Sequence, residues 1–162
     1  MLDSVSAASK RPARPGRAER SRYETRPRTR RTPAHYRLHV DARASLASLE
    51  HGRDAGWTPI PVWNGDRIEI HASGQICPSR PTPCFSADGA DPDLWRSYNY
   101  PEFADARHAA LVGFLPEQPV VVGTGTSIVA EQAGLLLLFA NDRDEGNNAG
   151  GFDVDVTVTP GP

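Results

Sequence analysis

Phe152-Asp153-Val154-Asp155-Val156-Thr157-Val158-Thr159 alternates apolar and polar side chains without a break. Successive side chains of an extended strand point to opposite faces. Phe152, Val154, Val156 and Val158 therefore face a core, while the Asp and Thr residues between them face water. A helix would repeat its apolar positions every three to four residues, so the period of two selects a strand. Working toward the N-terminus, Leu135 to Ala140 is a short apolar run behind Gly134, and Thr126 to Ala130, Pro119 to Val122 and Ala109 to Leu115 are further runs. Gly113, Gly123, Gly125 and Gly134 punctuate them, and these runs read as central strands.

Asp66-Arg67-Ile68-Glu69-Ile70-His71-Ala72 repeats the period of two behind the turn signal Asn64-Gly65. Tyr36-Arg37-Leu38-His39-Val40 does so again, and Val62 adds a short strand. Asp41 to Gly52 fits one short helix with Ala42, Leu46 and Leu49 as its apolar edge. Seven or eight strands with almost no helical period predict an all-β protein, a two-sheet β-sandwich of jelly-roll type.

The formal net charge of −2 conceals a division, with residues 1–37 carrying +8 and the remainder −10. Residues 1–34 are rich in Lys, Arg, Pro and Ala and contain little to bury, so they are expected to be a disordered basic arm before a domain spanning residues 35–160. Arg26-Pro27-Arg28-Thr29-Arg30-Arg31 suits an anionic partner. No apolar stretch approaches the roughly 20 residues of a membrane-spanning helix, and no secretory signal is recognisable at the start. Localisation stays unassigned.

Catalytic patterns are missing. Gly123-Thr124-Gly125-Thr126-Ser127-Ile128 begins like a dinucleotide loop, but it lacks the third glycine and precedes a strand, so it reads as a hairpin. There is no Gly-x-Ser-x-Gly elbow, and His71 and His108 read as an exposed strand residue and a loop-edge residue rather than bases. The chain is expected not to be an enzyme. Cys77 and Cys84 enclose a stiff Pro-rich loop and lack the second ligand pair of a zinc site. A loop disulfide there would fit an oxidising compartment.

Between the last two strands lies Asn141-Asp142-Arg143-Asp144-Glu145-Gly146-Asn147-Asn148-Ala149-Gly150-Gly151, too long for a minimal hairpin. Asn141, Asp142, Asp144, Glu145, Asn147 and Asn148 offer the carboxylate and amide oxygens that a hard cation such as Ca²⁺ collects, without sulfur or imidazole. These are also common turn residues, so a plain solvated hairpin is the competing reading. An EF-hand is excluded, because Gly146 is one place early and the flanks are strands.

The order strand, Asn-Asp, short spacer, Asn-Asn-x-Gly, strand resembles the calcium-dependent galactophilic lectins of bacteria, the PA-I-like lectins. Trp57-Thr58-Pro59-Ile60-Pro61-Val62, Gly65-Asp66-Arg67-Ile68-Glu69-Ile70, Ala72-Ser73-Gly74, Ala109-Ala110-Leu111-Val112-Gly113 and Gly134-Leu135-Leu136-Leu137-Leu138 resemble that family's other strands in order, over about residues 57–159. The resemblance implies a galactose-binding-domain-like sandwich with one Ca²⁺ that directly coordinates two sugar hydroxyls. It implies Asp142 as the bidentate carboxylate, Asn147 and Asn148 as side-chain carbonyl ligands, and backbone carbonyls from Asp144 and from about Pro78 or Cys77.

Two departures stand out. Arg143 follows Asp142 directly, and Ala87 to Arg107 matches poorly, so a preference for galactose does not carry over. Trp95, Tyr98, Tyr100 and Phe103 in that segment suit either a sugar-stacking rim or a pin for a long loop. The sequence thus predicts a calcium-dependent carbohydrate-binding module, with Asp142, Asn147 and Trp95 contacting sugar and with homo-oligomers as an open expectation. The alternative is a calcium-stabilised structural or adhesion sandwich without a sugar site. The family resemblance implies an extracellular or cell-surface role.

Overall fold

The computed structural model describes residues 31–44, 59–79, 83–91, 94–115 and 118–162. Among the described residues eight strands follow one another: β1 (Ala34–Asp41), β2 (Ile60–Val62), β3 (Arg67–Cys77), β4 (Leu111–Leu115), β5 (Gln118–Val121), β6 (Gly125–Val129), β7 (Gly134–Ala140) and β8 (Ala149–Thr159). They form two antiparallel four-stranded sheets, in the orders β1-β8-β3-β6 and β2-β7-β4-β5. The all-β sandwich is as expected. No helix among the described residues is long and apolar enough to cross a membrane.

The period-two strands supply the core. Ile68, Ile70, Phe152, Val154, Val156 and Val158 point inward from the first sheet, and Ile60, Val62, Leu111, Leu136 and Leu138 meet them from the second. Their removal from water is the main driving force for the sandwich. β7 is apolar on both faces because its outward Phe139 is also covered, by Phe103, Val112 and Phe114.

Several expectations change. The Gly123–Thr124 turn is not a hairpin: β5 pairs with β4 and β6 with β3, so the turn carries the chain from one sheet to the other. Gly123 takes a positive φ of 61°, and Asp88 accepts the Thr124 N–H at 2.8 Å, which together fix this corner. For the same reason the loop between β7 and β8 is an inter-sheet crossover. β5 and β6, expected to be central, are edge strands; Pro119 has no N–H to give a second neighbour. Asp41 ends β1 and Ala42–Arg43 form a turn, while the rest of the expected Asp41–Gly52 helix lies outside the described residues.

The compact unit begins at Arg31, earlier than the expected boundary at residue 35. The Arg31 guanidinium donates to both oxygens of Asp66, at 2.7 and 2.6 Å, and lies 4.3 Å from the centre of the Trp63 ring. Residues 1–30, the bulk of the expected arm with its anionic-partner motif, lie outside the described residues.

Candidate functional site

The crossover Asn141–Asn148 leaves β7 at one edge of the sandwich. Asn141 is fully buried and fully satisfied. Its amide donates to the carbonyls of Phe103 and Arg107, both at 3.1 Å, and its Oδ1 accepts the Tyr100 N–H at 3.1 Å. It therefore ties the long 94–108 segment to the end of β7. The next residue, Asp142, is 3 % exposed, and its Oδ1 accepts the Asp144 N–H at 2.9 Å.

Asp142 lines a cleft of about 150 Å³ together with Pro78, Trp95, Asp144 and Asn147, all proposed from sequence as site residues. Pro78 arrives through a disulfide between Cys77 and Cys84, whose Cα atoms are 4.0 Å apart, and through the bridge that pairs Ile76 with Phe85. Asn148 does not line the cleft. It is fully buried behind the loop, where its amide donates to the Ala42 carbonyl at 3.0 Å.

The amides are oriented by chemistry. Asn147 faces a carboxylate oxygen of Asp144 at 3.2 Å and Asn148 faces a backbone carbonyl, and only an NH₂ group can donate to either. Both carbonyl oxygens therefore point elsewhere. The Asn148 Oδ1 is buried without a hydrogen-bond partner among the described residues, a state that costs stability unless something electropositive satisfies it. A buried carboxylate with amide and backbone oxygens in the same loop offers donors of the type that suits a hard divalent cation rather than a soft one. No group of three His, Cys, Asp or Glu side chains suited to a metal forms among the described residues, so such an ion would depend on amide and backbone oxygens. Arg143 does not compete with it, because its guanidinium donates to the Ser97 carbonyl and its N–H to Tyr98.

Ser79, Tyr98 and His108 also line the cleft. His108 lies in the turn before β4, at the loop edge as expected, and is buried: it is 3 % exposed, with Nδ1 3.0 Å from Asn99 Oδ1 and Nε2 3.6 Å from Asp142 Oδ2. Asn99 donates its own amide to the Ala106 carbonyl at 2.9 Å, so its oxygen faces the ring and the His108 Nδ1 must carry a proton. Burial pushes the His108 pKa down, with Asp142 opposing. With Nδ1 turned to Asn99, Nε2 is the ring nitrogen that faces the Asp142 carboxylate. Nothing local marks His108 in the sequence, because Asn99 and Asp142 reach it only through the fold.

Trp95 pins its segment to the sandwich, one of the two roles weighed for it. It packs edge-on against Phe85 and His108, with ring centres 5.9 and 5.8 Å away, and still lines the cleft. Trp95 and Ala109 are the non-glycine residues with positive φ among those described, at 54° and 59°. Such strained backbone beside a cleft is characteristic of binding sites. A wider groove of about 800 Å³ runs along Pro101–Arg107 and Val121–Gly123. Size does not decide between the two; the smaller cleft gathers the buried carboxylate and the acceptor-rich wall.

No family model matches the chain, and no curated protein matches it. Among solved structures, the chain is similar to the EclA N-terminal domain, a PllA-like lectin, with a TM-score of 0.53 and 23% sequence identity over 76% of this chain and 94% of that one. The likeness shows a lectin-like fold.

Proposed function

We propose that the chain is a non-catalytic, calcium-dependent carbohydrate-binding module whose site is the Asp142 cleft. The observation that carries this reading is the buried Asp142 carboxylate in a cleft lined by Asp144, Asn147, Trp95 and Tyr98, with the unpartnered Asn148 Oδ1 in the same loop. The lectin-like fold supports it. Asp142, Asn147 and Asn148 would hold Ca²⁺ through side chains, and Asp144 and Pro78 through backbone carbonyls. When bound, the ion supplies open coordination positions for neutral hydroxyl oxygens. Trp95 offers a ring face for sugar C–H groups.

Millimolar Ca²⁺ is expected to raise the melting temperature, and EDTA to remove the gain. A ligand bound only by the native state at about 100 times its Kd stabilises by about 2.7 kcal/mol. Identical melting in Ca²⁺ and EDTA would refute the metal site. At the rim, Trp95→Ala is expected to weaken sugar binding while leaving the Ca²⁺-induced shift in place. Because Trp95 also pins its loop, Trp95→Phe serves as the control and should retain most of the affinity. Calorimetric titration of both variants measures this.

A further inference from the structure

Three of the four sheet edges resist pairing with a foreign strand. β2 is only three residues long and centred on Pro61, and β5 carries Pro119. β1 carries the polar side chains Arg37 and His39 on its exposed face, paired with Asp155 and Asp153 of β8 at 2.8 Å each. β6 has none of these devices. Gly125-Thr126-Ser127-Ile128-Val129 contains neither charge nor proline, alternates exposed and half-buried residues, and leaves Val129 55% exposed. One flank of β6 pairs with β3, and no other strand pairs with its second flank among the described residues.

We propose that β6 pairs antiparallel with β6 of a second copy of this chain, about a two-fold axis at Ser127, so that two sandwiches share one eight-stranded sheet. The strand is self-complementary in that register. Ser127 meets its own equivalent, Ile128 meets Thr126, and Val129 meets Gly125. Large thus opposes small on both faces, as cross-strand pairs prefer in an isologous contact. Ile128 and Thr126, half-buried at the rim of the core, are closed by each other. On the outer face Gly125 leaves room for the opposing Val129 next to the His71 ring, whose Nδ1 lies 3.3 Å from where a Gly125 Cβ would stand.

Charge disfavours a strongly charged partner strand, and the matching of large to small side chains about Ser127 favours a second copy. The adjoining row on β3 carries Arg67 and Glu69 paired at 3.0 Å, so it presents balanced charge and selects neither an acidic nor a basic partner. This inference is independent of the sugar site.

Sedimentation velocity on the full chain tests it, together with two variants. The wild type is expected to form a concentration-dependent dimer. Ser127→Lys sets two ammonium groups across the axis and should weaken the dimer at least about tenfold with the circular dichroism spectrum unchanged. Ser127→Cys should cross-link rapidly under oxidation, because directly opposed Cα atoms lie about 4.5–5.5 Å apart and the native cysteines are already joined. Ser73→Cys, exposed on neighbouring β3, is the control and should stay monomeric on a non-reducing gel. A wild-type monomer at millimolar concentration, a dimer indifferent to Ser127→Lys, or Ser127→Cys cross-linking no faster than Ser73→Cys each overturns the proposal, including the outcome in which β6 takes an unrelated strand instead.

Discussion

Asp142→Ala is expected to weaken Ca²⁺ binding by roughly two orders of magnitude, since ligand charge sets the affinity of oxygen sites over such ranges and Asp142 is the carboxylate buried in the cleft. The substitution also removes the acceptor of the Asp144 N–H and the charge beside His108, so the apo protein changes too. The informative quantity is therefore the Ca²⁺-induced shift in melting temperature within each variant, not the melting temperature itself. That shift should vanish at Ca²⁺ concentrations that saturate the wild type. Asp142→Asn keeps an oxygen at the same place without its charge and should fall between the two. A full shift in Asp142→Ala would remove Asp142 from the ligand set.

The largest effect on stability is expected at Asp66, far from the cleft. Its carboxylate is fully buried and accepts four hydrogen bonds: two from Arg31, one from the Trp63 N–H at 2.9 Å and one from the Gly161 N–H at 3.2 Å. It thereby clips residues near both ends of the compact unit to the turn before β3. Asp66→Ala orphans these donors and is expected to cost about 2–4 kcal/mol, a fall in melting temperature of roughly 10 °C. Hydrogen bonding to the Arg31 guanidinium holds the Asp66 carboxyl below the usual carboxylate range, against the effect of burial. A depressed folded pKa means that this stabilisation is fully present above the unfolded value of about 3.9 and is lost as pH falls through the folded value. Thermal melts of wild type and Asp66→Asn should accordingly converge in acid and separate at neutral pH. A chain beginning at residue 35 should melt lower than one beginning at Arg31, because only the latter retains the partner of Asp66.

Local patterns carried much of the fold. The alternation in β8 and β3 and the apolar run of β7 place their inward residues correctly, because a period of two leaves one choice of face once a core exists. What short windows do not encode is which sheet a strand joins. Gly123-Thr124 is compatible with a hairpin and with a corner, and the choice is made by β4 and β3, each already committed to a different sheet. The candidate site divides similarly. Asp142, Asp144 and Asn147 are close in sequence, so their oxygen-rich composition is visible there, and the resemblance brought in Pro78. Trp95 stood out as an aromatic among polar residues. The place of His108 beside the cleft, and the role of Asn99, are not legible in the sequence because they are relational: the imidazole turns Nε2 toward Asp142 only where Asn99 holds its other nitrogen. Arg31 looked like one more residue of a basic arm, and only the fold shows it reaching Asp66 across 35 positions.

The most direct test of the central claim is binding of the full chain to a multivalent glycan display, galactosides included, measured in parallel in Ca²⁺ and in EDTA. Single sites with few contacts imply dissociation constants of roughly millimolar to micromolar, so the display must be multivalent to retain them. The account predicts binding to glycans with accessible vicinal hydroxyls that is present in Ca²⁺, absent in EDTA and absent in Asp142→Ala. Glycan binding that persists in EDTA, or a silent display from a protein that Ca²⁺ demonstrably stabilises, would contradict it, the second result leaving a calcium-stabilised sandwich without a sugar site.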